Sequence, residues 1–216
     1  MPRPRSDIQP RILQAAKARF LAEGVDGASL RSIASDAETS IGMIYYYFPT
    51  KDDLFFAVVE EVYEAILRDL EAAIAPDVPV EARIERLCQR VARISETELS
   101  VMQLVAREAL TSSARLERLV QRFMRGHVPL IAKLVGDGVM AGTFNPRLHP
   151  IVVMLSLAGI SVVPQIIRRV IGSRLPLPLL QTAPQGEELA HELVRVLFHG
   201  VASEGVASDS ARKDTQ

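Results

Sequence analysis

Several short runs in this 216-residue chain place chemistry-bearing side chains at spacings that matter. His191-Glu-Leu-Val-Arg195 opens like a zinc-protease helix, in which two histidines four residues apart hold the metal. Its second position is arginine, which cannot ligate zinc. Glu188 and His191 stand three residues apart, as in one half of a di-iron helix, but His127, His149 and His199 supply no second half. Gly136-Asp-Gly-Val-Met-Ala141 satisfies the loose dinucleotide pattern; no strand precedes it, so it reads as a helix end and turn. The lone Cys88 excludes an intrachain disulfide and reads as a small buried apolar residue. No catalytic residue, metal or cofactor is expected, and a helical-bundle enzyme is the weaker alternative.

The run Tyr45-Tyr46-Tyr47 behaves differently. Successive helix residues point about 100° apart, so three tyrosines in a row cannot all face a core. At least one is exposed and available to a partner. Ser40 can cap the short helix that carries them, and Pro49 ends it, since the residue before proline is pushed out of the helical region. Ahead of it, Ser29 can cap a helix from Leu30 to Asp36, and Ala37-Glu-Thr forms a tight break. Before that, Ile8, Ile12, Ala15, Ala16 and Phe20 recur at helical spacing, predicting a helix over Asp7–Ala22 that Gly24 stops. Two short helices joined by a tight break and packed on a longer one form a helix-turn-helix, whose second helix enters the major groove.

The residues match something more specific. Leu30-Arg-Ser-Ile-Ala, followed by Ser40-Ile-Gly-Met-Ile-Tyr-Tyr-Tyr-Phe-Pro-Thr-Lys-Asp-Asp-Leu54, resembles the signature of the TetR family of repressors, strongly from Pro10 to Val59. The resemblance continues more weakly in helix count, in length and in the run Ala190 to Gly200. It implies that Ser40, Tyr45, Tyr47 and Lys51 contact phosphates and that Ser29 and Arg31 hold the backbone from the supporting helix. Ile41, Gly42, Met43 and Tyr46 would then face base edges or thymine methyls. Two departures stand out: the family usually has glycine where this chain has Glu38, and the reading helix has no lysine or arginine.

The elements that position these residues follow from periodicity. Lys51 opens a helix to about Ala75; further helices are expected at Val80–Glu98, Leu99–Leu110, Ala114–Ala141, Pro150–Gly172 and Gly186–Glu204. The expected fold is all-α with about nine helices: a three-helix DNA-binding domain over 1–50, a larger effector-binding and dimerisation domain over 51–204, and a disordered tail over 205–216. The net charge of −1 argues against a nucleic-acid protein taken whole, yet up to Lys51 there are seven basic residues and five acidic ones. Ile151 to Ile167 is nearly uncharged and approaches the length of a membrane span. Ser156, Ser161, Pro164 and Gln165 within it favour a buried or subunit-interface helix instead. The polar start carries no signal peptide, so a cytoplasmic location is expected.

In the family, the middle helices enclose a small-molecule cavity and the last two helices form a homodimer interface. The resemblance therefore implies a partner subunit, double-stranded operator DNA and an effector, and no membrane. Cavity candidates are Met102, Val105, Phe123, Phe144 and Met154, with Arg107, Glu108, His127 and Gln165 as polar groups that orient a ligand. Effector binding would move the fourth helix and change the separation of the two reading helices. A helical scaffold without DNA binding is the other alternative; the segment Ser40–Lys51 discriminates against it.

Overall fold

The computed structural model describes residues 7–171 and 182–199. All regular structure there is helical, as expected: ten α-helices and one π-helical turn, rather than about nine helices. They form two compact units. One comprises the chain up to Asp69 together with Ile94–Pro129; the other comprises Leu70–Arg93 and the chain from Leu130 onward.

In the first unit, α1 (Ile8–Gly27) buries Ile12, Ala15, Ala16 and Phe20 on one stripe. Gly24 interrupts it at φ 79°, a left-handed conformation that suits glycine. A Cβ there would also lie 2.3 Å from Arg107 Nη2. Next come α2 (Leu30–Asp36), α3 (Ile41–Tyr47) and α4 (Lys51–Ala73). Their inward residues Ile33, Ile44, Leu54, Phe55 and Val58 are completely buried with Phe20, whose ring meets Phe55 edge-on at 6.4 Å. Val101 and Leu104 from α6 (Glu96–Thr111) and Leu119 from α7 (Ser113–Phe123) complete this core.

In the second unit, α5 (Val80–Ala92) packs against α9 (Pro150–Ile166) and α10 (Gly186–His199). Phe144 stacks on Phe198 with rings 6.4 Å apart, and a Cβ on Gly138 would come 2.4 Å from the Phe144 ring. Pro164 sits inside α9, and the chain passes into a π-helical turn over Ile167–Ile171. Arg169 reaches the Ala92 carbonyl at 3.2 Å.

One expected boundary moves and one expected helix is split. The break expected between Glu98 and Leu99 falls earlier: α5 ends at Ala92, and the next helix starts at Glu96 behind a capping box in which Ser95 and Glu98 satisfy each other's backbone amides. The stretch Ala114–Ala141 divides into α7 and α8 (His127–Met140). Gly126 lies at that break, where a Cβ would come 2.2 Å from the Tyr63 hydroxyl. Apolar spacing runs through this second break, which is why periodicity alone joins its two halves. The ends placed at Gly172 and Glu204, and the tail over 205–216, lie outside the described residues.

Candidate nucleic-acid interface

Local caps set the geometry of the two short helices. The Ser29 hydroxyl accepts the Arg31 amide at 3.2 Å, and the Ser40 hydroxyl accepts the Met43 amide at 3.3 Å. Between them α2 closes with a Schellman motif: the Thr39 amide donates to the Ala34 carbonyl at 2.9 Å and the Glu38 amide to Ser35 at 3.0 Å. That motif needs a left-handed residue, and Glu38 supplies it at φ 49°. The glutamate-for-glycine departure therefore leaves the turn intact but strained.

With its N-terminus fixed, α3 divides its residues by direction. Ile44 is buried and pins the helix, while Ile41, Tyr45 and Tyr46 are 36%, 52% and 77% exposed. Met43 and Tyr47 are half-buried, and Tyr47 holds the Tyr46 ring edge-on at 5.2 Å. At Gly42 an added Cβ would meet only the Ser40 hydroxyl, at 3.7 Å, so nothing inside the protein demands glycine there. Arg31 is exposed on the first turn of α2. Lys51 is partly occupied: its ammonium donates to the carbonyls of Asp26 at 2.9 Å and Ala28 at 3.1 Å. One of its three protons is left for a phosphate.

The segment from Gly24 to Ala28, which leads into α2, is held by a network that sequence reasoning missed. The Arg115 guanidinium, itself buried, donates to Asp26 at 2.5 Å, Glu108 at 2.7 Å and Asp52 at 3.0 Å. The other Glu108 oxygen accepts the Val25 amide at 3.3 Å. Arg115 holds the Asp26 carboxyl below the ordinary aspartate range by direct hydrogen bonding. In the sequence these residues lie up to 89 positions apart, and no local pattern links them.

The ligand candidates fall into separate places. Glu108 is buried in the Arg115 network, and Arg107 lies against Gly24. Met102 is half-buried on α6, and Val105 packs on the first unit's core. Phe123 and His127 do come together, with ring centroids 5.0 Å apart, alongside Tyr63. The Tyr63 hydroxyl accepts the His127 amide at 3.1 Å and shares a second hydrogen bond with His127 Nδ1 at 2.8 Å. Burial and the nearby Arg122 cation push the His127 imidazole below its ordinary range. Phe144, Met154 and Gln165 belong to the second unit, where Gln165 is fully buried on α9. Among the described residues no cluster of three or more acidic, histidine or cysteine side chains has metal-binding geometry.

Residues 12–58 match the family model described as "Bacterial regulatory proteins, tetR family". The chain is 28% identical over 131 residues to the "Probable HTH-type transcriptional regulator YttP" of Bacillus subtilis (strain 168). That alignment covers 59% of this chain and 63% of the relative, a little under two thirds of its length. The fold is similar to that of the Bacillus subtilis transcriptional regulator FadR, solved in complex with stearoyl-CoA: TM-score 0.71 at 16% identity, over 89% of this chain and 99% of that one. It is also similar to a transcriptional regulator of the TetR/AcrR family from Thermobifida fusca YX-ER1: TM-score 0.60 at 22% identity, over 91% of this chain and 100% of that one. The capped pair α2–α3 lies within the residues that match this family model, and the helical fold of the chain is similar to that of these regulators.

Proposed function

We propose that the protein is a cytoplasmic repressor that binds operator DNA as a homodimer and is released by a small-molecule effector. One observation carries the DNA-binding part: α3 is anchored by Ile44 and presents Ile41, Tyr45 and Tyr46 outward behind the Ser40 cap. Tyr46 and Ile41 offer apolar surface to thymine methyls; Ser40, Tyr45 and Tyr47 offer hydroxyls to phosphates, joined by the remaining Lys51 proton, Ser29 and Arg31. Gly42 and Met43 lie on the same short helix and complete the reading set. In this reading residues 1–50 contact the operator and residues 51–204 receive the effector and the partner subunit. The partner surface is α9 with α10. The side of α9 that carries Val152, Leu155, Val163 and Ile166 is apolar and exposed, although by length and composition Pro150–Arg169 would also suit a membrane span.

An electrophoretic shift of the DNA upstream of the protein's own gene tests this directly. A retarded band that weakens steeply with salt is expected, because phosphate contacts release counterions. Tyr46→Ala should lower operator affinity about tenfold, the value of one good base contact, and leave stability nearly unchanged. A chain that binds no double-stranded DNA at low salt would be a scaffold instead.

A further inference from the structure

α9 is apolar along most of its length, yet its inward face turns polar toward the C-terminal end. The buried positions are Val153, Leu157, Ser161 and Gln165, each about one turn after the last, and Arg168 follows in the π-helical turn. The Ser161 hydroxyl is satisfied by its own helix, donating to the Leu157 carbonyl at 2.6 Å. Gln165 is not satisfied. It is 1% exposed, and its amide nitrogen has no acceptor among the described residues.

The orientation of that amide is fixed by chemistry. The Arg168 guanidinium has donors only, so the group it meets at 3.4 Å must be the Gln165 oxygen. Turning the amide over would set donor against donor. Arg168 adds a second unfilled donor, because its Nε is buried with no acceptor among the described residues. Its other hydrogen bond runs to the side-chain oxygen of Gln185 at 3.3 Å, so both its partners are neutral. The two buried arginines differ in having carboxylate partners: Arg83, whose Nε is likewise buried without an acceptor, lies 2.8 Å from Asp137, and Arg115 holds three carboxylates. A buried donor left unpaired is unfavourable, and a guanidinium without a counter-ion more so. Pro164 and the π-helical turn mark the same stretch, and such turns are frequent at functional sites.

We infer that Gln165 and Arg168 form the head-group site for an effector that ends in an anionic oxygen, a carboxylate, and is otherwise apolar. The carboxylate would accept from Gln165 Nε2 and Arg168 Nε, and the apolar remainder would run toward Leu157 and Val153 on the same face. This rests on the reading of the chain as an effector-controlled regulator and gives that effector a chemistry.

Calorimetric titration of the full chain with hexanoate, decanoate and hexadecanoate, each beside the alcohol of equal length, tests the assignment. At least one carboxylate should bind, with its alcohol about tenfold weaker or more. Arg168→Met should lower the affinity for that carboxylate about tenfold and leave the alcohol unchanged; Arg168→Lys should keep part of it. Gln165→Leu should lose carboxylate binding while raising the melting temperature of the free protein, because an unsatisfied buried amide is removed. That gain also shows that the loss is not a failure to fold. Three results would overturn the site: no carboxylate binding at all, alcohols binding as tightly, or an Arg168→Met chain that binds carboxylate like the parent. Operator binding of the unliganded chain is measured alongside. If it is intact without any carboxylate response, this inference fails and the regulator reading stands; if it is absent, the regulator reading fails while the titrations still decide the site.

Discussion

Glu38 shows how a single side chain can oppose the backbone it sits on. The Schellman closure of α2 requires a left-handed residue at this position, and any side chain other than glycine is disfavoured there by roughly 1 kcal/mol. Its carboxylate lies 3.6 Å from Arg11, but both groups are partly solvated, so that pair offsets little of the strain. Glu38→Gly should therefore stabilise the protein by about 1 kcal/mol, read as a higher urea midpoint at unchanged slope. A lower midpoint would mean that the carboxylate's contacts outweigh the strain. The substitution also removes a negative charge beside the reading helix, so operator affinity should rise, most visibly at low salt. Residues of this kind were legible in the sequence. Ser29 and Ser40 were placed as caps because capping is a local matter of residue type and spacing, and both accept the amides expected of them. Lys51 was less legible. Its place at the start of α4 suggested a phosphate contact, whereas two of its protons go to carbonyls some 25 positions earlier in the chain.

At the level of elements, the reading pair is steadied by helices far away in sequence. α6 contributes Glu108 and α7 contributes Arg115, and together they clasp the segment that enters α2. Arg115→Met would leave the Glu108 carboxylate buried without its cation, an arrangement that costs about 3 kcal/mol. The double variant Arg115→Met, Glu108→Leu should recover part of that loss, because the orphaned charge is removed. If the single variant melts like the parent, the network is not structural. A second clasp joins α4 to the start of α8 through Tyr63 and His127. The folded chain holds His127 below its ordinary value of 6.5, so the neutral imidazole is favoured. The unfolded chain then takes up the proton first as pH falls. The stability this group contributes is fully present above about pH 6.5 and declines below it, by at most about 1.4 kcal/mol per pH unit. Chemical denaturation between neutral and mildly acidic pH should show that decline, and His127→Asn should flatten it. These clasps were not legible from periodicity, which sees one helix at a time. The break at Arg93–Ser95 was expected a few residues late, after Glu98, and the break at Met124–Gly126 was missed because the apolar stripe continues through it. The first did carry a local signal, the Ser95-Glu-Thr-Glu98 capping box, while at the second the missing Cβ of Gly126 makes room for the Tyr63 hydroxyl, far off in sequence.

For the whole molecule, the question is what covers the outward side of α9. Val152, Leu155, Val163 and Ile166 recur there at helical spacing and are exposed, Leu155 by 65%. Gly159 stands among them with nothing within 4 Å of where a Cβ would be. An apolar, small-residue stripe of this kind is unfavourable in water and favours close approach of another helix. The nearly uncharged composition of this stretch made the helix legible in the sequence, but not which of its sides would face outward; that depends on how α5 and α10 occupy the other side. If a second copy covers the stripe, a charge placed in its middle should separate the subunits, because an unpaired carboxylate at an apolar interface is strongly penalised. Leu155→Glu should therefore sediment as a monomer at concentrations where the parent is a dimer, with the helical content of the two chains equal by circular dichroism. A two-fold operator is read by two reading helices set about one helical turn apart. The monomer should thus lose affinity for the full operator by orders of magnitude and keep the parent's affinity for an isolated half-site. A variant that stays dimeric would move the interface away from α9, and one that becomes monomeric yet still binds the full operator as tightly would remove dimerisation from the mechanism.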